Sequence, residues 1–212
     1  MADTSLYQNS TLFETLDEKI KKAEQQIIRT KFKYEVYATA IEDAYKYVEK
    51  VDRESIPLLW NLIKTMESIP TLDIELKTFI LSNIYEVASD AELYQYRKER
   101  IIQNLRRGLK ILANEKGLNK MNELYSLTLA GKIPLRNFDE YLEEVRNWAY
   151  RNNLTLDQET EIRYARQKVA YDYLGVIIEG LLREPNKYEP LYKQLIETNN
   201  LEEFVKYLPK YI

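Results

Sequence analysis

The sequence contains neither cysteine nor histidine. Without cysteine the chain has no disulfides, thiolate metal ligands or cysteine nucleophiles; this fits a reducing intracellular compartment, and we expect a cytoplasmic protein. Without histidine it lacks the commonest general base and the commonest nitrogen ligand of transition metals. It also has no phosphate-binding glycine loop, nucleophile elbow or zinc-ligand spacing. We therefore predict no metal, no cofactor and no enzymatic activity.

Helix breakers are scarce. The chain has five glycines and six prolines in 212 residues, well below the average usage of about 7% and about 5%, and they fall between segments of helical periodicity. No segment reads as a β-strand. The sequence predicts an all-α fold, a helix bundle with a long N-terminal heptad-patterned helix and about eight shorter helices.

Long apolar runs are absent as well. Nowhere do about 18 apolar residues follow one another without a charge, and the N-terminus has no basic segment followed by an apolar one, so we expect no membrane span and no signal peptide. The formal net charge of −3 gives the whole molecule no attraction to nucleic acids or anionic membranes. Any such binding has to be local.

The first third of the chain is predicted to be one helix, because no proline precedes Pro57 and no glycine precedes Gly108. Thr11 and Glu14 form a capping box that places its start near Leu12. Mostly apolar residues then alternate spacings of three and four over nearly six heptads, which indicates a coiled-coil-like seam. The seam positions are Phe13, Leu16, Ile20, Ala23, Ile27, Thr30, Tyr34, Tyr37, Ile41, Ala44, Val48 and Val51.

The two halves of this helix differ in the residues beside the seam. In the first half these flanking positions are mostly charged, which is typical of a narrow contact with one partner helix, whereas in the second half they are alanine and tyrosine. We predict that residues 1–33 contain an N-terminal extension and the protruding part of the helix, and that residues 34–212 form a single bundle domain. The predicted contact for self-association or for a different partner helix consists of Phe13, Leu16, Ile20, Ala23 and Ile27.

A basic segment extends from Arg97 to Lys120, where eight basic side chains accompany two acidic ones. It belongs to a predicted helix that begins at Ser89 and ends at Gly117. At 100° per residue, polar and basic residues share one face of that helix and apolar residues share the opposite face. One interpretation is nonspecific binding of nucleic-acid phosphates; the other is a solvated face that pairs with acidic neighbours. The predicted nucleic-acid contacts are Arg97, Arg100, Gln103, Arg106, Arg107, Lys110 and Asn114.

Two further features have a structural interpretation. Most of the eighteen tyrosines are predicted to pack at helix interfaces, because paired tyrosines two residues apart lie about 200° apart on a helix and cannot form one flat platform. The acidic clusters at residues 139–144 and 157–161 fall in the first turns of predicted helices. There carboxylates interact favourably with the helix dipole, so no catalytic role is needed to explain them.

The long N-terminal helix from Leu12 to Val51, the bundle after it and the basic helix from Arg97 to Lys116 resemble a known family. Together with a composition like that of hyperthermophile proteins, they are similar to the coat proteins of filamentous viruses that infect hyperthermophilic archaea. In that family an N-terminal arm and surfaces of the bundle clasp DNA while the protomers assemble into a filament. The resemblance implies a helical coat protein located in the virion.

Three functional hypotheses follow from the sequence. The first is a non-catalytic structural or assembly protein that oligomerises through its long N-terminal helix and contacts nucleic acid through the basic helix. The second is a helical adaptor or regulator that binds one protein partner. The third, an enzyme without histidine or cysteine, is the least favoured.

Overall fold

The computed structural model describes the backbone of residues 4–135 and 137–208 and the side chains of residues 16–135 and 137–208. Within these ranges the chain forms nine α-helices, two short 3₁₀ turns and no strand. The predicted all-α fold with one long helix and eight shorter ones is confirmed. The helices are α1 (Thr4–Val51), α2 (Ile56–Glu67), α3 (Ile74–Leu93), α4 (Lys98–Leu112), α5 (Glu115–Leu129), α6 (Phe138–Arg151), α7 (Gln158–Arg183), α8 (Pro185–Glu197) and α9 (Leu201–Lys206).

The long helix α1 has 48 residues, which corresponds to about 70 Å at 1.5 Å per residue. The capping box predicted at Thr11 and Glu14 falls among residues whose side chains lie outside the described part of the chain. From Tyr37 onward the seam enters the core, where Ala44 and Val48 are fully buried. This half of α1 packs against α3.

The core is built around α7, which contacts α3, α4, α5, α6 and α8. Leucine and isoleucine side chains at helical spacing bury one face of α7 and one face of α3, which is the usual origin of stability in a bundle of amphipathic helices. The fully buried apolar side chains of these two helices include Leu76, Ile80, Leu81, Ile84, Leu174, Ile177, Ile178 and Leu181.

The boundaries predicted around the basic helix are wrong. No helix begins at Ser89, because α3 continues to Leu93 and buries Ala88 and Ala91 in the core. After a short turn, α4 begins at Lys98 and ends at Leu112. Burial of the alanines therefore outweighs the local capping preference of the serine.

The α6–α7 hairpin packs partly outside the main core. Its buried residues Val145, Ala149, Ala165 and Val169 form contacts separate from the central cluster. Asn137, just before α6, has a positive φ of 58° and makes no side-chain cap. The start of α7 lies opposite the first half of α1, with a cleft between them.

Candidate interaction surfaces

The seam residues in the first half of α1 are exposed. Leu16, Ile20 and Ile27 have exposed fractions of 49%, 54% and 68%, and Ala23 is also exposed. The fifth predicted contact residue, Phe13, lies outside the residues with described side chains. Large aliphatic side chains repeated at heptad spacing and left in water are typical of a helix face that packs against another helix.

A second apolar stripe on α1 lies outside the heptad seam. Ile28, Phe32 and Val36 are four residues apart and 67%, 62% and 39% exposed. Their spacing of four was readable in the sequence, but they lie outside the seam. The last two line a groove of about 570 Å³ between α1 and α3, together with Leu81 and Tyr85.

The basic face of α4 is only partly free. Arg106 makes a two-pronged ion pair with Asp52, with Nε–Oδ2 and Nη2–Oδ1 distances of 2.6 and 2.7 Å, and its Nη2 lies 3.1 Å from Glu54. Arg107 pairs with Glu189 of α8 at 2.9 Å. Both arginines were predicted to contact nucleic acid, but Arg106 connects α4 to the turn after α1 and Arg107 connects it to α8.

The other predicted contacts on this surface are differently placed. Arg100, Gln103 and Lys110 are exposed on α4, and Arg97, in the turn before α4, lies 5.3 Å from the centre of the Tyr96 ring. The prediction that Asn114 continues the face of α4 is wrong. It lies beyond the end of α4 and caps α5, where its side chain accepts a hydrogen bond from the backbone N–H of residue 117.

We expect Arg106→Gln to lower the free energy of unfolding by about 1–2 kcal/mol, because it breaks a charge-assisted pair at a half-buried site and the remaining exposure weakens the effect. Arg100→Gln, which removes an exposed arginine from the same helix, should change it by less than about 0.5 kcal/mol. Urea denaturation of both variants measures the difference. Equal stability of the two variants would contradict the structural role of Arg106.

The same ion pair makes this difference depend on pH. The hydrogen bond from Arg106 lowers the pKa of Asp52, so the pair stabilises the fold above the ordinary carboxyl pKa of about 4 and its contribution is lost as the pH falls through the lowered value. The stability gap between wild type and Arg106→Gln should therefore shrink as the pH falls below about 4.

A polar network lies where α1 leaves the bundle. Glu75 of α3 forms an ion pair with Lys33 of α1 at 2.7 Å and accepts hydrogen bonds from Gln167 and Tyr125. Burial raises the pKa of Tyr171 to about 12 and that of Tyr125 further. Both phenols stay protonated at neutral pH, so neither acts as a base there, and the network positions α1 against α3, α5 and α7.

The acidic clusters are engaged in contacts between α6 and α7. Glu161 pairs with Arg146 at 3.0 Å, and Glu144 pairs with Lys168 at 3.0 Å. In the described part of the chain, no group of three or more acidic side chains is placed to hold a metal ion. These contacts support the structural interpretation of both clusters.

No family model, curated protein or solved structure matches this chain. Within the described ranges, none of the helices combines the length and the apolar character that crossing a membrane requires.

Proposed function

We propose that this chain is a non-catalytic assembly protein that self-associates through the first half of α1. The observation that carries the proposal is the exposed seam of Leu16, Ile20, Ala23 and Ile27. The same heptad series becomes buried core from Tyr37 onward. One continuous seam therefore has its second half covered by the bundle and its first half open to a partner.

Charges beside the seam favour a second copy of the chain in parallel orientation. In a parallel, in-register pair, Lys19 of one copy faces Glu24 of the other, five residues further along, and the two-fold symmetry makes this contact twice. In an antiparallel pair with Gln26 opposite Gln26, Asp17 and Lys31 attract one another, but Lys19 meets Lys33 and Glu24 meets Glu24. The parallel pair has its attractive contact without these two repulsive ones. Opposite-charge pairs at these positions set both partner choice and orientation.

Contact with nucleic-acid phosphates is a further part of this proposal. After Arg106 and Arg107 are assigned to ion pairs, the surface around α4 still exposes Arg97, Arg100 and Lys110, with Gln103 between them. Lys and Arg on an exposed helix face neutralise phosphates without reading sequence. Self-association together with nucleic-acid contact is what a coat protein requires, which is the role that the family resemblance implies.

An adaptor that binds one protein partner is the second candidate function, and the groove between α1 and α3 favours it. Phe32, Val36 and Leu81 give the groove an apolar floor, and Glu35 and Asp43 are among its acidic lining residues. Such a groove fits the apolar face of an amphipathic helix that carries basic side chains. If the chain is a monomer and binds a different protein through this groove, the adaptor function is favoured over self-association.

Solution mass as a function of concentration tests the proposed function. Sedimentation equilibrium at micromolar concentrations should give a weight-average mass that rises above the monomer mass of 25.3 kDa. The expected increase comes from removal of the exposed leucine and isoleucine surface from water. A mass that stays at 25.3 kDa throughout this range would contradict self-association.

A further inference from the structure

A basic cleft of about 970 Å³ separates the first half of α1 from the start of α7. Lys22 and Arg29 line it from α1, and Arg163 and Arg166 line it from α7. We call these four residues the cleft cations. The pair on α1 and the pair on α7 are far apart in the sequence, and only the fold brings the two pairs to one site.

The cleft cations form no close ion pairs with the residues that the structure describes, although, after the hydrogen bonds from Thr160, the charge of Arg163 helps to lower the pKa of Asp157. Among the described residues, none of the four forms an ion pair with a carboxylate, whereas neighbouring Lys21 pairs with Asp17 and Arg146 pairs with Glu161. Arg163 also lies against the ring of its neighbour Tyr164, at 5.5 Å from the ring centre. Four positive side chains around one cleft repel one another, and a bound anion would offset that repulsion.

Two carboxylates also line the cleft, and one of them is already used by the fold. Asp157 caps α7, where it accepts a hydrogen bond from the backbone N–H of Thr160 at 2.7 Å, and Glu159 follows in the first turn. The lining still carries two more positive than negative charges. The positive end of the α7 dipole adds to this excess.

Arg166 has an unsatisfied donor in this lining. Its Nε is buried and has no hydrogen-bond partner, and a buried donor that stays unpaired destabilises the fold. Gly131, with a φ of +70°, leaves the space that the guanidinium occupies, because a Cβ there would lie 2.5 Å from Nη2 of Arg166. Because Nε has almost no surface open to the cleft, an anion would pair this donor only after a shift of the Arg166 side chain.

We propose that this cleft binds a phosphate group, either as free phosphate or as part of a nucleic-acid backbone. Guanidinium groups bind phosphate oxygens through two parallel hydrogen bonds, and Gln25 and Gln26 add neutral donors to the same cleft. Lys22 and Arg29 each lie two residues from a seam isoleucine, and hence about 200° around the helix from it. A partner helix on the seam therefore leaves Lys22 and Arg29 open, although Gln26 flanks the seam, so that the cations of the site do not depend on self-association.

The test uses two probes and two double variants. The probes are a fluorescein-labelled 20-nucleotide DNA, followed by anisotropy at low salt, and inorganic phosphate, followed as a rise in Tm relative to chloride at equal ionic strength. Arg29→Gln with Arg163→Gln changes two exposed cleft cations. Arg100→Gln with Lys110→Gln is the matched control on α4, and circular dichroism checks that both variants stay folded.

The proposal is supported if the wild type binds either probe and this binding weakens at least 10-fold in the cleft variant. The α4 variant should weaken it much less. If the cleft variant loses DNA binding, the phosphate comes from a nucleic-acid backbone. The slope of log binding constant against log salt concentration should then be smaller in the cleft variant than in the wild type by about one to two. A phosphate effect alone identifies the free ion. If the wild type binds neither probe, or if the cleft variant binds both as well as the wild type does, the proposal is overturned; neither result affects the assembly proposal, which the mass measurement tests.

Discussion

The double variant Ile20→Asp with Ile27→Asp is expected to stay monomeric at concentrations where the wild type associates. Each substitution puts a carboxylate into the contact between two helices, where an unpaired charge is costly. We expect the dissociation constant to rise at least about 100-fold, equivalent to about 2.7 kcal/mol. Both isoleucines are more than half exposed in the single chain, so the fold itself should survive. Sedimentation equilibrium measures the change.

Lys22→Asp with Gln25→Asp is the control for this prediction; it changes the net charge by −3, against −2 for the seam variant, so it tests the effect of added negative charge at least as severely. It places two aspartates on the opposite face of the same stretch of α1, and both positions are exposed. Its dissociation constant should remain within a few-fold of the wild-type value. Equal weakening by the two double variants would show that added negative charge, and not loss of the apolar seam, causes the effect.

Gly108→Ala should lower the free energy of unfolding by about 2 kcal/mol, because α4 crosses α7 at this glycine with backbone against backbone. A Cβ added to Gly108 would lie 2.4 Å from the carbonyl oxygen of Leu181 and 2.8 Å from the Cα of Leu182. Neither atom can move without separating the two helices, and overpacking of this kind costs about 1–3 kcal/mol or more. That cost outweighs the gain of about 1 kcal/mol from replacing glycine by alanine in a helix. Urea denaturation measures the loss.

Gly175→Ala provides the control within α7. Only the ring of Phe79 lies near its added Cβ, at an ordinary contact distance of 3.6 Å. We therefore expect it to leave stability unchanged or to raise it by up to about 1 kcal/mol. Similar losses for both glycine variants would mean that the close crossing at Gly108 is not the cause.

The helical fold could be predicted because its signals are local. The shortage of glycine and proline, together with the heptad spacing, predicts α1 without any tertiary information. The cap of α9 is equally local, because the side chain of Asn200 accepts a hydrogen bond from the backbone N–H of Glu203, three residues later. At Ser89 the local signal failed, because the apolar surface that α3 buries on either side of this serine favours continuing the helix.

The interaction surfaces were less predictable, because they depend on residues that are distant in the sequence. The ion pair that occupies Arg106 joins it to Asp52, 54 positions earlier. The basic cleft joins α1 near residue 25 to α7 near residue 160. A helical projection of one segment shows which side chains share a face, but it does not show which neighbours will pair with them. That is why it placed Arg106 and Arg107 on a free basic surface.

A single introduced cysteine tests the central claim most directly, since the chain has none of its own. In the parallel pair proposed here, Ala23 of one copy packs opposite Ala23 of the other across the seam, within reach of a disulfide. Under mild oxidation, Ala23→Cys should form a disulfide-linked dimer on a non-reducing gel, whereas Glu18→Cys, on the outer face of the same helix, should stay monomeric. No more dimer from Ala23→Cys than from Glu18→Cys, with both variants folded, would contradict the parallel self-association through α1 that we propose.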